Sequence, residues 1–384
     1  GMNSAGYIAG VRTIYESRVL VNNNLFDADP WQLNTSAGLI DCKTGAIDTH
    51  STLRYCTKAT AVAPDPSIDI TPWLDMIAAH DGSEEWMNYH QRVAFYCLTG
   101  STAHDAIFVL QGPPGTGKSS FFGTLGRALG DYSTTVKDSD MFLVNKIRNE
   151  HPTEFADFAG SRIIVVDELP KGAVLNTTLL NKMTSGTGKA RFMRQDYFQY
   201  TIQHKVTFTT NYEPRFKSLR DGFVRRVHMI PWWTQPATIN TKLRDEILPA
   251  ILPGILYWAL QGRESYLRLG LEKPKAVADY TAKYLVSQNT IQQWIDARCE
   301  LNPKEKSRSG ETFNDWKSWA EDNGHYVGDI SEFKANLLAV DGIGYDEDWR
   351  GRYYTGFKLK PSFPSSAPDA EHWKQSEQPI NVNG

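Results

Sequence analysis

Three short apolar runs divide the middle of the chain, and helical patterns separate them. The runs cover residues 106–110, 163–166 and 206–210. A short apolar run without alternation is typical of a strand that is buried on both faces, as in a parallel sheet covered by helices. The pattern therefore predicts an α/β fold with a parallel sheet between residues 105 and 235.

The segments on either side of this predicted sheet have other patterns. Residues 1–75 alternate short apolar pieces with turn signals, which indicates a small α+β region with a hairpin over residues 39–48. Helical spacing follows over residues 73–100, and two helices followed by strand-like segments are predicted over residues 311–360. We expect five parts: an N-terminal α+β region (1–75), a core with a preceding helical collar (76–238), a helical segment (239–300), a C-terminal module (301–362) and a disordered, polar tail (363–384).

The composition excludes several classes of protein. Of the 384 residues 41% are hydrophobic, which allows a sizeable core. The formal net charge of −3 excludes a polybasic coat, although residues 101–235 hold 17 Lys and Arg against 12 Asp and Glu, a local net charge of +5. Four cysteines without a CxxC pair disfavour a zinc ribbon or a disulfide scaffold. The apolar stretches are too short to span a membrane and residues 1–4 lack signal-peptide features, so we expect a cytoplasmic protein without a membrane partner.

A phosphate-binding pattern follows the first apolar run. Residues 112–119 match G-x-x-x-x-G-K-[ST] between a predicted strand and a predicted helix, which is the context that this motif requires. In the motif, backbone N–H groups surround the phosphates, Lys118 contacts the β- and γ-phosphates, and the Ser119 hydroxyl binds Mg²⁺. The residues predicted to bind a nucleoside triphosphate are Gly112, Pro113, Pro114, Gly115, Thr116, Gly117, Lys118, Ser119 and Ser120.

Polar side chains end the two apolar runs that come next. Asp167 and Glu168 follow residues 163–166, and Asn211 follows residues 206–210. The carboxyl ends of parallel strands border the crevice in which α/β proteins bind ligands. We therefore predict that Asp167 holds Mg²⁺ through its water shell, that Glu168 polarises the attacking water, and that Asn211 orients this water and senses the γ-phosphate.

Two arginines, Arg225 and Arg226, precede a further apolar strand. An arginine that reaches the γ-phosphate stabilises the charge of the transition state, and it can be supplied by another subunit. The alternative is a surface ion pair, or packing of one arginine on Trp232. The position of the pair after the other motifs favours the catalytic role.

In this order and at this spacing, the elements resemble a superfamily 3 helicase of the AAA+ class. The chain is most similar to the helicase module of phage and plasmid primases, which poxvirus primase-helicases share, and the resemblance covers residues 20–300. It also rests on segments outside the nucleotide motifs. These are residues 26–34, 38–41 and 44–45 before the core, residues 180–191 with Lys182 ahead of a Ser-Gly turn and Arg191, and residues 253–262 after the core.

The resemblance implies an ATP-driven DNA helicase with an AAA+ P-loop core. Such helicases usually work as a hexamer in the replication of a phage, plasmid or other mobile element, in the host cytoplasm when phage-encoded. Arg226 matches the position of the catalytic arginine better than Arg225, and Lys182 and a hairpin tip near Arg194 match DNA-contacting positions. The implied partners are single-stranded or forked DNA, further copies of the chain and a primase, and residues 301–362 are expected to be winged-helix-like.

Two positions depart from the family pattern. Thr187 and Gly188 stand where the family often has an Asp, and Arg194-Gln195 stand where related viral helicases usually have a Lys-His pair. Both departures lie between the acidic pair and Asn211. The first concerns the additional superfamily motif of residues 180–191, and the second concerns the hairpin tip near Arg194.

Three other functions fit parts of the pattern. An AAA+ replication initiator or helicase loader would use ATP as a switch to recruit another helicase. Strand displacement by the purified chain alone distinguishes a helicase from this alternative. A P-loop kinase would act as a monomer on a small acceptor, which the acidic and arginine pairs disfavour. A nucleotide-stabilised structural subunit would not need the complete catalytic set.

Overall fold

The chain forms two compact units, residues Gly1–Gln288 and Asn289–Gly384. A computed structural model gives the structure of residues 4–18, 25–144, 155–184, 186–191, 197–217, 221–236 and 240–361. In this part of the chain no helix is both long enough and apolar enough to cross a membrane. The predicted tail, residues 363–384, lies outside the described residues.

A five-stranded parallel sheet forms the centre of the first unit, which confirms the predicted α/β class and the parallel sheet. The order of the strands across the sheet is β12-β4-β10-β6-β5. The predicted apolar runs lie in β4, β6 and β10, whereas β5 is a polar edge strand that apolar patterning does not show. The strands are β4 (Ile107–Gln111), β5 (Ser133–Val136), β6 (Ile163–Leu169), β10 (Lys205–Thr210) and β12 (Val227–Pro231).

Both faces of this sheet are covered, which explains the runs without alternation. Phe108 and Leu110 pack on one face with Phe121 of helix α4 (Lys118–Leu129). Val109 faces the other way, into a second cluster with Val166, Phe208 and Met183. Because successive residues of a strand point to opposite faces, burial of both faces removes the alternation of apolar and polar positions, as in β4. β10 is equally buried but includes Lys205 and three threonines, so burial does not make every position apolar.

An antiparallel sheet and two helices precede the central sheet. The predicted hairpin is confirmed by the pairing of β2 with β3, and the predicted helical stretch is two helices that residues 79–83 separate. The second helix begins after Ser83, whose hydroxyl accepts a hydrogen bond from the Trp86 N–H and so caps the helix. The elements are α1 (Ala5–Arg18), β1 (Gln32–Thr35), β2 (Gly38–Asp41), β3 (Ile47–Asp48), α2 (Thr71–Ala78) and α3 (Glu84–Leu98).

Further elements surround the sheet and complete the first unit. α5 and the β8–β9 hairpin lie between β6 and β10 along the chain, and short strands β7 and β11 pair with each other. After β12, a π-helical turn at Leu243–Ile247 leads into helices that pack on α3, α4 and β12. The elements are β7 (Val174–Leu175), α5 (Thr177–Thr184), β8 (Thr187–Ala190), β9 (Phe198–Thr201), β11 (Arg215–Phe216), α6 (Asp221–Val224), α7 (Leu248–Ala250), α8 (Leu252–Gln261), α9 (Arg263–Leu269) and α10 (Lys275–Gln288).

The second unit has its own core and a three-stranded antiparallel sheet of order β13-β15-β14. The two predicted helices are α12 and α13, and Trp294 of α11, from the predicted helical segment, also belongs to this core. β13 has no alternating pattern because its register shifts between Leu301 and Lys306, around Pro303, which cannot donate to a sheet. The elements are α11 (Thr290–Arg298), β13 (Cys299–Arg308), α12 (Ser309–Asp322), α13 (Ile330–Leu337), β14 (Gly344–Asp348) and β15 (Gly351–Leu359).

Candidate nucleotide-binding site

The glycine-rich loop joins the end of β4 to the first turn of α4. Gly115 and Gly117 have φ angles of +79° and +87°, values that side chains disfavour. Gly112 is needed for a different reason, since a Cβ there would lie 1.8 Å from the carbonyl oxygen of Trp232. The glycines of the motif therefore meet two separate demands, a left-handed backbone and a close approach to the residue after β12.

The side chain of Lys118 is folded against its own loop. Its Nζ donates to the Pro113 carbonyl at 2.5 Å and to the Thr116 hydroxyl at 3.3 Å. Burial lowers the pKa of Lys118 to about 8, and the nearby Glu168 carboxylate opposes this shift. Lys118 is therefore held as a cation at neutral pH, at the position where the motif places the phosphates.

A pocket of about 260 Å³ lies at the carboxyl end of the central sheet. It brings Lys118 and Ser119 together with Glu168 and Asn211, which come from three different strand ends. These residues meet because β10 lies between β4 and β6, so the ends of all three strands are neighbours. The pocket is lined by Pro114, Gly115, Gly117, Lys118, Ser119, Ser120, Glu168, Thr209, Thr210, Asn211 and Arg244.

Of the predicted acidic pair, one residue lines the pocket and the other does not. Glu168 lines the pocket, and its Oε1 accepts a hydrogen bond from the side-chain amide of Asn211. Asp167 is half-buried, and within the described part of the chain it is not among the residues that line the pocket. The pairing of β6 with β10 shifts register between Val166 and Leu169, so the two carboxylates stand at an irregular position of the strand.

Arg226 lies at the opposite end of the sheet from the pocket. It precedes the first residue of β12, and its carbonyl accepts a hydrogen bond from the N–H of Ile107 at the start of β4. Its guanidinium forms an ion pair with Asp105 at 3.2 Å and donates to the Thr184 hydroxyl at 2.9 Å. Arg225 is exposed. Neither arginine is among the described residues that line the pocket, since parallel strands place their amino and carboxyl ends at opposite edges of the sheet.

The predicted DNA-contacting residues fall on two elements. Lys182 is exposed on α5, and Arg194 lies outside the described residues. In the described part of the β8–β9 hairpin region, the Lys189 ammonium lies 4.9 Å and the Arg191 guanidinium 5.2 Å from the centre of the Tyr197 ring. The sequence analysis named Arg191 within residues 180–191 but did not predict its grouping with Lys189 and Tyr197, because Arg191 and Tyr197 lie outside β8 and β9.

Arg244 is a second residue that sequence reasoning missed. It belongs to the π-helical turn after β12, is exposed, and contributes to the pocket lining. Its carbonyl accepts a hydrogen bond from Arg127 of α4, which fixes the turn beside the loop helix. No local motif surrounds Arg244, so only the packing of the chain shows that this cation faces the pocket.

Two families match separate parts of the chain. Residues 5–90 match the family described as D5 N terminal like, and residues 110–226 match a family of unknown function, DUF5906. The second match begins within β4 and ends at Arg226. It therefore contains the loop, the acidic pair and Asn211.

One curated relative is a viral protein from Acanthamoeba polyphaga mimivirus named "Putative helicase L207/L206". It is 28% identical over 221 residues, which are 52% of this chain and 23% of that protein. The chain thus spans less than a quarter of the length of the relative. Two apo structures of the NrS-1 C terminal region are also similar, each with 11% identity and a TM-score of 0.44. The first match covers 87% of this chain and 78% of that structure's chain, and the second covers 92% and 90%.

Proposed function

We propose that the chain is an ATP- and Mg²⁺-dependent DNA helicase with an AAA+ P-loop core, acting in the replication of a phage, plasmid or other mobile element. The observation that carries this proposal is the pocket in which Lys118, Ser119, Glu168 and Asn211 converge at the ends of three neighbouring parallel strands. The similarity to a viral protein named a helicase supports the choice of helicase among nucleotide-dependent functions.

The residues of the pocket fit a magnesium-bound nucleoside triphosphate. The loop N–H groups and the first turn of α4 provide donors for phosphate oxygens, and Lys118 provides a fixed positive charge. Mg²⁺ would neutralise the charge that develops on the phosphates, with the Ser119 hydroxyl as its ligand and Asp167 acting through water. Glu168 accepts a proton from the attacking water, while Asn211 holds the carboxylate in place through its amide.

The position of Arg226 supports an oligomer in which each subunit completes the site of its neighbour. Within its own subunit this side chain is held at the far edge of the sheet by Asp105 and Thr184. An arginine at that edge can act on a γ-phosphate only when the nucleotide belongs to another subunit. We therefore assign Arg226 the catalytic role in trans within a homo-oligomeric ring, most simply a hexamer, with a primase as a further partner.

Single-stranded or forked DNA would contact cations of the segment between β6 and β10. Lys182 and the predicted contact Arg194 provide charges for phosphates. Tyr197, which is 51% exposed and whose ring lies beside Lys189 and Arg191, provides a surface on which a base can stack. Cationic and aromatic groups in one place are typical of proteins that bind single strands.

The proposal is tested by ATP hydrolysis and strand displacement with the purified chain. We expect hydrolysis that single-stranded DNA stimulates, unwinding of a forked duplex, and loss of both in Glu168→Gln. Glu264→Gln is the matched control, since it makes the same change in α9, away from the pocket. Hydrolysis without unwinding would favour the initiator or loader function, and hydrolysis that survives Glu168→Gln would refute the proposed site.

A further inference from the structure

Side chains from outside the glycine-rich loop hold its outward-facing carbonyl groups. The Thr116 carbonyl accepts hydrogen bonds from the indole N–H of Trp232 at 2.5 Å and from Nε2 of His80 at 3.1 Å. The Pro114 carbonyl accepts one from the side-chain amide of Gln235 at 2.9 Å. His80 lies between α2 and α3, whereas Trp232 and Gln235 follow β12, so two distant segments converge on the loop.

The protonation state of His80 follows from its second hydrogen bond. The backbone N–H of Thr234 donates to Nδ1 at 3.1 Å, so Nδ1 is the acceptor and Nε2 carries the proton that bonds the Thr116 carbonyl. Burial lowers the pKa of His80 to about 4, and the Lys118 cation contributes to this shift. The ring centres of His80 and Trp232 are 4.2 Å apart. His80 is therefore a neutral donor with a defined orientation.

These contacts also determine where the N–H groups of the loop point. In a planar trans peptide the C=O and the following N–H point in opposite directions. A Thr116 carbonyl held outward therefore directs the Gly117 N–H inward, and a Pro114 carbonyl held outward does the same for Gly115. Both glycines line the pocket. Without an external partner these peptide planes would be free to rotate, because glycine restricts its backbone little.

We propose that His80, Trp232 and Gln235 are positioning residues that direct the N–H groups of Gly115 and Gly117 at the phosphates of the nucleotide. This inference rests on the proposed function, since it takes the ligand of the pocket to be a nucleoside di- or triphosphate. It adds three residues that lie outside the phosphate-binding motif and that do not touch the ligand themselves. Their effect on binding is transmitted through the backbone of the loop.

The test measures the Kd for ADP with MgCl₂ by calorimetry, because ADP carries phosphates but is not hydrolysed. His80→Ala and Gln235→Ala should each weaken binding about fivefold, the value of one neutral hydrogen bond. His80→Gln should restore part of the affinity, because its amide can donate to the Thr116 carbonyl. His50→Ala is the matched control, since Nε2 of His50 also bonds a backbone carbonyl, that of Thr35, in the small sheet formed by β1–β3.

A purely structural role for these side chains would give a different calorimetric result. It would reduce the fraction of chains that bind, seen as a lower stoichiometry, while the Kd of the remaining chains stayed at the wild-type value. Gln235 is exposed, so Gln235→Ala also tests the proposal in a variant that folds normally. Unchanged Kd values in both alanine variants, with tight wild-type binding, would overturn the proposal and leave the function intact. A wild-type chain that does not bind ADP would overturn both.

Discussion

Gly112→Ala is expected to destabilise the first unit, because the added Cβ has no space. It would lie 1.8 Å from the carbonyl oxygen and 2.6 Å from the carbonyl carbon of Trp232. Both contacts are to backbone, so the strand ends must separate, which weakens the hydrogen bond from the Trp232 N–H to the Gln111 carbonyl at 2.7 Å. Overpacking costs about 1–3 kcal/mol and the weakened hydrogen bond about 1 kcal/mol, so we expect a loss of about 2–4 kcal/mol.

Gly123→Ala adds the same methyl group but is expected to increase the stability of the first unit. Gly123 lies within α4, and a Cβ there would meet nothing within 4 Å. Alanine favours a helix over glycine by about 0.5–1 kcal/mol, so this variant should be more stable than the wild type. The two substitutions therefore differ in sign for a reason that only the surroundings of each glycine provide.

Stability of the first unit alone can be followed through Cys97, which is fully buried in α3. Pulse alkylation in increasing urea, read on the peptide that contains Cys97, gives the unfolding midpoint of this unit without interference from the second. The midpoint should fall by about 1 M for Gly112→Ala and rise slightly for Gly123→Ala. Equal midpoints, or a rise in both, would refute the reasoning about the close approach of Trp232.

Three further predictions concern charge, subunit contacts and DNA. Burial lowers the pKa of Lys205 to about 7. Between about pH 7 and 10.5 the folded state therefore binds fewer protons than the unfolded state, and the free energy of unfolding rises with pH. Lys205→Met should flatten this rise, as measured by urea titrations at pH 7 and 9. Mixing Lys118→Ala with Arg226→Ala subunits should restore part of the ATPase activity that each has lost, and no recovery at any ratio would contradict action in trans. Tyr197→Ala should weaken binding of a single-stranded oligonucleotide by about 1–3 kcal/mol in fluorescence anisotropy, whereas Tyr7→Ala, with the same 51% exposure, should not.

The central sheet could be predicted from the sequence only as far as burial marks its strands. β4 and the first four residues of β6 are apolar because helices or loops cover both faces, whereas β10 is buried throughout and still holds Lys205 and three threonines. β5 could not be predicted from apolar patterning. It is an edge strand whose residues are half-buried or exposed, so its sequence Ser-Thr-Thr-Val is mostly polar. The order of the strands depends on the crossover connections, which local patterns do not encode.

The candidate site, like the sheet, could be predicted from the sequence only in part. The loop, Glu168 and Asn211 could be named because each stands at the end of an apolar run, and parallel strands bring such ends together. Which of the two carboxylates lines the pocket could not be predicted, because the register of β6 against β10 shifts between Val166 and Leu169 and regular alternation does not hold there. His80 lies in the turn between α2 and α3, and Arg244 lies in the π-helical turn after β12. Neither could be predicted, because no motif surrounds them and each approaches the loop only through the packing of the helices.

The strand order also affects how this unit can assemble during synthesis. β4 lies between β10 and β12, yet both follow it in the chain, β10 by roughly 100 residues. At about 5–20 residues per second, a ribosome needs roughly 5–20 s to deliver the first of these neighbours. Until then the strand that carries the glycine-rich loop has neither edge paired, and Trp232 and Gln235 are not yet available to the loop. The pocket is therefore completed late, and a chain interrupted before β12 would expose an apolar strand rather than a smaller working domain.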